Sequence, residues 1–313
     1  MKNIRFVFIA LATFAPLTGC ASPSATVKVR VVDEERTPIS GVHSELINIF
    51  DDGTIRTGFT DVNGLYSKHL IRIYEVNGHF EKFGYYKTSG VFWEAPQQWG
   101  DVPPADTNFV ITMRRIIDPV PMTRRRIETY LPRNDEPVGF DLATGDWVAP
   151  YGKGTQADIV FTGTMRYVNQ LDRDVTIEML FPNELCGIQS FIRAKMNDNI
   201  KVRSELIPPH SAPEDGYVET FKLWKVIDNP HYPKSHQVFN QNHIFRTRVV
   251  TDDEGKIIKA NYGWTAGDFE ISPNKNNRIW LRFAYYYNPD PYSRSLEPKE
   301  IADRQVKNLP GGD

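Results

Sequence analysis

The chain has 313 residues, and its 37 basic and 39 acidic residues give a formal net charge of −2. This balance gives no overall positive field for a nucleic acid, so we expect no nucleic-acid partner. The 22 prolines, 21 glycines and 12% aromatic residues are typical of short strands separated by turns, and helical periodicity is scarce. The composition therefore predicts an all-β fold.

The N-terminus has the pattern of an export signal. A basic start precedes an apolar run over residues 6–16, which is shorter than the roughly 20 residues that a membrane-spanning helix needs and fits a secretion signal. Residues 17–20 read LTGC and resemble the lipobox of bacterial lipoproteins. The resemblance implies a signal peptide over residues 1–19 and a lipid on Cys20 that attaches the protein to a membrane.

The residues after Cys20 bear on the compartment. Ala21 and Ser22 follow Cys20, and neither position holds an aspartate. By analogy with enteric lipoproteins, this favours the outer membrane of the cell envelope. Two other interpretations are open: an ordinary signal with a coincidental cysteine, and a cytosolic chain with a misplaced start.

Lipidation of Cys20 leaves Cys186 alone, which excludes a disulfide framework, and we expect Cys186 to be a small buried core residue.

The first domain is predicted over residues 25–116. Residues 26–33 alternate apolar and charged side chains as a half-buried strand does. The stretches VKVRVVD, TPISGV and GFTDVNGLY resemble the carboxypeptidase regulatory-like family. The resemblance implies a small, non-catalytic β-sandwich of the transthyretin type, and the whole arrangement resembles bacterial surface lipoproteins that carry such modules.

Aromatic side chains crowd residues 78–106, and Trp93 and Trp99 are the two tryptophans among them. Exposed rings at this density stack on sugars or hold a protein partner. The alternative is that they close the end of the small sandwich.

A second domain is predicted over residues 136–292, after a proline-containing linker at 117–135. Strand patterns without intervening helices indicate a second sandwich, either jelly-roll-like or Ig-like, so the predicted fold is two β-sandwich domains in series. The strand patterns cover residues 157–168, 175–181, 217–224, 242–250, 256–262 and 278–287. Residues 293–313 are a polar C-terminal tail with room for one short helix at 297–308.

Five arginines flank the domain boundary: Arg114, Arg115, Arg124, Arg125 and Arg126. One interpretation is a patch for phosphate or an acidic glycan. The other is a solvated strand edge followed by a linker.

Residues 140–154 offer the main candidate for catalysis. Asp141 and Asp146 are candidates for a glycosidase acid and base, with Trp147 and Tyr151 as sugar-stacking rings. The alternative is an ordinary polar loop. The glycine spacing around Lys153 does not fit a phosphate-binding loop.

Three histidines, His231, His236 and His243, lie in one short stretch. Their spacing of five and seven residues does not match a known zinc motif, so they are weak metal candidates and a polar loop leading into a strand is the alternative. We expect no metal and no cofactor.

Together these patterns predict a lipid-anchored cell-envelope protein with a non-catalytic structural or ligand-binding role, with a glycan or an envelope protein as partner. The alternative is a carbohydrate-active hydrolase with its site in the second sandwich. That enzyme would use Asp141 and Asp146, with Glu214 or Asp215 as further candidates.

Overall fold

The structure, a computed structural model, describes residues 24–48, 55–71, 75–94, 106–193, 201–228, 233–238 and 240–307. Nearly all of its regular structure is β, which confirms the all-β prediction. The predicted signal peptide and Cys20 lie outside the described residues. Within the described ranges, no helix is long and apolar enough to cross a membrane.

The first seven strands fall in the predicted first domain. They are β1 (Ser24–Val32), β2 (His43–Asn48), β3 (Ile55–Phe59), β4 (Leu65–Ile71), β5 (Glu75–Glu81), β6 (Thr88–Glu94) and β7 (Asp106–Thr112).

The remaining elements are thirteen strands and the helix α1. They are β8 (Thr123–Tyr130), β9 (Val138–Asp141), β10 (Asp146–Trp147), β11 (Ile159–Asn169), β12 (Asp172–Leu180), β13 (Gly187–Ile192), β14 (Lys201–Ser204), β15 (Thr220–Ile227), β16 (Lys234–Ser235), β17 (Gln241–Thr251), β18 (Ile257–Thr265), β19 (Glu270–Pro273), β20 (Ile279–Tyr287) and α1 (Lys299–Lys307).

Two sheets form the N-terminal part of the molecule. One has the order β4-β1-β7, with β1 and β7 parallel, and the other has the order β14-β6-β5-β2-β3. Val29 and Val31 of β1 pack in the same core cluster as Leu46 of β2 and Phe80 of β5, and all four are fully buried. The alternation seen in the sequence of β1 therefore fills the core between these sheets.

The turn motif of the family resemblance is built by short-range hydrogen bonds. Asp61 Oδ1 accepts the backbone N–H groups of Asn63 (2.9 Å) and Leu65 (2.8 Å). Thr60 Oγ1 accepts the N–H of Val42 and donates to the carbonyl of Ile39. Asp61 therefore closes its own turn, and Thr60 joins this turn to the TPISGV stretch.

Two further sheets pack face to face in the C-terminal part. One has the order β10-β9-β11-β12-β15-β16, and the other has the order β13-β17-β18-β20-β19, with β8 also paired to β20. Phe161 and Ile177 from the first of these sheets share a core cluster with Leu281 and Phe283 from the second. Cys186 is buried at the edge of the same cluster as a free thiol.

Three segments differ from the predicted domain plan. Residues 117–135, predicted as a linker, contain β8, which pairs along its whole length with β20 because its inward residue Ile127 reaches the core. Strand β14, from the predicted second domain, extends the N-terminal sheet by pairing with β6. The segment predicted as a polar tail contains α1 where the sequence left room for one short helix, but Leu296, Ile301 and Ala302 of this segment are buried in a third cluster between the two parts.

Candidate functional site

A cleft of about 370 Å³ lies where the N-terminal sheet, the C-terminal sheet and α1 meet. Strands β6 and β14 form one wall, β8, β18 and β20 form another, and α1 closes one side. Four arginines line it, and we call it the arginine cleft. These arginines are Arg124, Arg193, Arg203 and Arg304.

The cleft carries excess positive charge. Its lining contains four guanidinium groups and one carboxylate, that of Glu205. Among the described residues, none of the four arginines forms an ion pair with a carboxylate. Arg193 Nη2 donates to the carbonyl oxygen of Ser204 at 2.6 Å. Burial, together with the nearby charge of Arg203, lowers the pKa of Arg193 to about 10, so it is still a cation at neutral pH.

Two stacked rings form the floor of the arginine cleft. Trp264 and Tyr286 lie 4.6 Å apart between centroids at 18°, and the guanidinium of Arg124 lies over the Tyr286 ring at 5.9 Å. Trp264 Nε1 donates to the carbonyl of Leu296 at 3.2 Å, which ties the floor to the segment before α1. Both rings are buried, so they support Arg124 from below and offer no exposed face for stacking.

The five arginines near the domain boundary do not form one patch. Only Arg124 lines the cleft, and each of the others is held by a local partner. The partners are Glu34 for Arg114 (2.9 Å), Asp33 for Arg115 (2.8 Å), the carbonyl of Ala143 for Arg125 (3.1 Å) and Glu128 for Arg126 (3.6 Å).

Asp141, a candidate acid or base, is buried and fully engaged. It accepts the backbone N–H groups of Thr144 and Thr155 at 3.0 Å, and Arg248 Nη2 lies 2.8 Å away. Burial alone would raise the pKa of Asp141, but these hydrogen bonds and the Arg248 charge outweigh it and lower the pKa to about 2. Asp141 is therefore a permanent carboxylate at neutral pH and has no proton to give as a general acid.

The other candidate carboxylates lie in separate settings. Asp146 accepts the backbone N–H groups of Trp147 (2.8 Å) and Lys153 (2.9 Å), so it closes the same loop as Asp141. Glu214 is exposed and pairs with Arg294 at 2.6 Å, and Asp215 lies in an exposed turn beside it.

The four aromatic candidates also lie in different surroundings. Trp147 is 5% exposed and packs edge-on against Phe140 at 5.2 Å in the main core, so its ring is covered. Tyr151 is 42% exposed. Trp93 belongs to β6, but its side chain is not among those described, and Trp99 lies outside the described residues.

Two of the three candidate histidines meet at one carboxylate, while His231 lies outside the described residues. His243 Nε2 lies 3.0 Å from Asp268 Oδ1, and His236 Nε2 lies 3.7 Å from the same atom. Burial would lower the pKa of His236 and raise that of Asp268, but their mutual attraction reverses both directions. No group of three or more side chains suited to a metal occurs in the described part of the chain.

Sequence reasoning missed Arg193, Arg203 and Arg304 as site residues. They come from the end of β13, from β14 and from α1. No local spacing connects them, because the cleft exists only after β14 joins the N-terminal sheet.

No protein-family model and no curated protein matches this sequence. Several solved structures show likenesses, including these three. The 3-chlorocatechol 1,2-dioxygenase of Rhodococcus opacus is 14% identical over 31% of this chain and 61% of its own, with a TM-score of 0.26. A streptococcal ancillary pilin is 12% identical over 76% of this chain and 62% of its own (0.20). A "putative carbohydrate binding protein" from Bacteroides uniformis is 11% identical over 84% of this chain and 98% of its own (0.22).

This chain therefore spans about three fifths of the length of the dioxygenase and of the ancillary pilin. With identities of 11–14% and TM-scores of 0.20–0.26, these likenesses assign neither a family nor a function. The fold and the cleft define an all-β protein of stacked sheets with a basic cleft at their junction.

Proposed function

We propose that this chain is a lipid-anchored protein of the outer membrane that binds an acidic glycan in the arginine cleft, without chemical conversion of that glycan. The observation that carries the binding role is a set of four guanidinium groups that have no carboxylate partner within the described part of the chain, in a cleft of about 370 Å³. Small-molecule sites typically have volumes of about 300–1,000 Å³, so the cleft has room for one or two sugar rings.

The charge of the cleft supports an acidic ligand over a neutral one. A guanidinium binds a carboxylate through two parallel N–H···O bonds, and such charge-assisted bonds are roughly twice as strong as neutral ones. Ser89 and Ser204 also line the cleft, and their hydroxyl groups offer partners for sugar hydroxyls. A neutral sugar would use these partners but would leave the four cations without a counter-charge.

The anchor is proposed from the sequence. The LTGC stretch at residues 17–20 supports export and lipidation of Cys20. The VKVRVVD, TPISGV and GFTDVNGLY stretches support a regulatory-like module over residues 25–116 as the membrane-proximal part. Labelled palmitate should therefore appear on the wild-type chain, and Cys20→Ser should abolish both the label and membrane fractionation. An unlabelled wild-type chain would contradict the anchor but would leave glycan binding untouched.

Glycan binding is tested by calorimetry on the chain from residue 21 onward. An oligogalacturonate should bind, whereas a neutral oligosaccharide of equal length and inorganic phosphate alone should bind at least tenfold more weakly. Arg193→Gln and Arg203→Gln should each weaken binding by about tenfold or more, since a charged hydrogen bond contributes about 1.5–3 kcal/mol. Arg126→Gln is the control, because this arginine lies on β8 outside the cleft.

Equal affinity for the neutral and acidic sugars, or equal losses in Arg126→Gln and Arg193→Gln, would overturn the proposed site. The alternative of hydrolysis by Asp141 and Asp146 is not adopted, because both carboxylates accept backbone N–H groups of their own loop and Asp141 is held ionised by Arg248.

A further inference from the structure

A continuous chain of hydrogen bonds connects Ser190, His243 and Asp268. Ser190 Oγ lies 2.9 Å from His243 Nδ1, and His243 Nε2 lies 3.0 Å from Asp268 Oδ1. Ser190 is exposed, whereas the imidazole of His243 is fully buried and the Asp268 side chain is 10% exposed. Ser190 is therefore accessible from solvent, while the two side chains behind it are shielded.

Backbone structure fixes the three side chains. Ser190 on β13 and His243 on β17 are direct cross-strand partners, which places them on the same face of the sheet. The N–H of His243 donates to Thr265 Oγ1 at 2.9 Å. Asp268 follows β18, and its Oδ1 also accepts the N–H of Phe269 at 2.8 Å.

Aromatic rings hold the imidazole in its plane. Phe221 packs edge-on against His243 at 5.0 Å, and Phe269 lies at 5.5 Å. Among the described residues, the imidazole of His236 also faces Asp268, with its Nε2 at 3.7 Å from Oδ1. Asp268 is thus a carboxylate between two imidazoles, and none of these three side chains is more than 10% exposed.

The hydrogen-bond partners determine which nitrogen of the His243 ring donates and which accepts. A carboxylate only accepts hydrogen bonds, so in the form of His243 that carries one ring proton, Asp268 places that proton on Nε2. The lone pair of Nδ1 then points at Ser190, whose hydroxyl donates to it. A nucleophile, a base within hydrogen-bond reach and a third group that orients the base are the signature of an activated serine.

We propose that Ser190 is a nucleophile for acyl transfer from carboxylic esters, with His243 as its general base and Asp268 as a positioning residue. Ser190 Oγ attacks the ester carbonyl carbon, and its proton passes to His243 Nδ1. The bond to the leaving alcohol breaks, and that alcohol takes the proton. Water then attacks the acyl-serine, gives a proton to Nδ1 and releases the carboxylic acid, while Ser190 regains its proton.

This activity is separate from glycan binding in the arginine cleft, since none of the three residues lines that cleft. Either proposal can fail without the other. A site made of residues 190, 243 and 268 also has no local sequence motif, which explains why no nucleophile elbow marks it.

A fluorophosphonate probe tests the nucleophile on the full exported chain. Intact-mass analysis and peptide mapping should find one adduct, on Ser190. The adduct should disappear in Ser190→Ala and persist in Ser67→Ala, which changes an exposed serine on β4. Hydrolysis of p-nitrophenyl acetate should follow the same pattern. Labelling at other serines only, or ester hydrolysis that survives Ser190→Ala, would overturn the proposal.

Variants of the other two residues test their roles. His243→Gln should slow labelling by roughly 100-fold, in the range of general base catalysis. Asp268→Asn keeps the shape but lets the imidazole proton move to Nδ1, so labelling should slow by roughly tenfold or more and its pH dependence should change. A thermal melt of each variant separates these rates from loss of fold. Unchanged rates per folded molecule in both variants would contradict the assigned roles.

Discussion

The carboxylate of Glu297 lies 2.6 Å from Nδ1 of His210, and Nε2 of the same imidazole lies 2.9 Å from Glu34. Glu297 precedes α1 and is fully buried, while Glu34 follows β1. Because both ring nitrogens face carboxylates, His210 joins the N-terminal sheets to the C-terminal segment as an imidazolium. Both carboxylates accept hydrogen bonds from it, and this lowers the pKa of each against the opposing effect of burial.

His210 should make stability depend on pH. Burial would lower the pKa of His210, but Glu297 and Glu34 outweigh it and raise that pKa above the usual value of 6.5. A raised pKa means that the stabilisation is complete below the unfolded-state value and disappears as pH rises through the folded-state value. His210→Gln should therefore lower the free energy of unfolding by about 1–3 kcal/mol at pH 5.5 and by less at pH 8.5.

Urea unfolding of both proteins at the two pH values measures this effect. His69→Gln is the matched control, because His69 is exposed on β4. A loss in His210→Gln that is equal at pH 5.5 and pH 8.5 would show that the ring acts by packing alone. Below about pH 4.5 the difference should narrow again, as Glu297 and Glu34 become protonated.

Tyr86 should contribute to the same junction. Its hydroxyl donates to Glu297 Oε2 at 2.7 Å, and the residue is fully buried. Tyr86→Phe removes the donor and leaves one lone pair of a buried carboxylate without a partner, which should cost about 1–3 kcal/mol. Urea unfolding at pH 7 should show this loss, and Tyr292→Phe, at a side chain that is 72% exposed, should not. Equal midpoints for the two variants would contradict a bond of structural importance.

Asp141 should stabilise its loop as a carboxylate. Its pKa of about 2 lies below the usual value of 3.8. The stabilisation is therefore present above the unfolded-state pKa and is lost as pH falls through about 2. This lowering of the pKa corresponds to about 2.5 kcal/mol of stabilisation at neutral pH. Asp141→Asn should lose roughly this amount at pH 7 and less at pH 2 in urea unfolding. A destabilisation that is independent of pH would show that the charge is unimportant.

Strand prediction succeeded where alternation was strong and failed where charge concealed it. In β20 the residues Ile279, Leu281, Phe283, Tyr285 and Tyr287 are all buried, as their spacing predicts. Strand β8 carries three consecutive arginines and a single well-buried apolar side chain, so its sequence has the character of a linker. Its strand structure comes from pairing with β20, which is about 150 residues away along the chain and invisible to local patterns.

The candidate sites could not be predicted from the sequence for a related reason. The arginines at 124, 193, 203 and 304 come from four separate segments, and His243 meets Asp268 only through the pairing of β17 with β18. Cross-strand register, not spacing along the chain, brings such groups together. Loop 140–154 was a candidate catalytic site because two aspartates lie close together in its sequence. Both carboxylates instead accept hydrogen bonds from backbone N–H groups of the same loop.

Gly64 should be the most sensitive turn position in the N-terminal sheets. Its φ is +70°, and a Cβ placed there would lie 2.4 Å from the carbonyl oxygen of Val31, a backbone atom that cannot move aside. Gly255 is the matched control, because its φ is +80° and no atom lies within 4 Å of an added Cβ. Gly255→Ala should lower the free energy of unfolding by about 1–2 kcal/mol, which is the cost of holding an alanine in the left-handed conformation. Gly64→Ala should lower the free energy of unfolding by more in urea unfolding, because the clash with Val31 adds to the backbone strain. Equal losses would show that Val31 and its strand yield freely, which would contradict a rigid contact between this turn and β1.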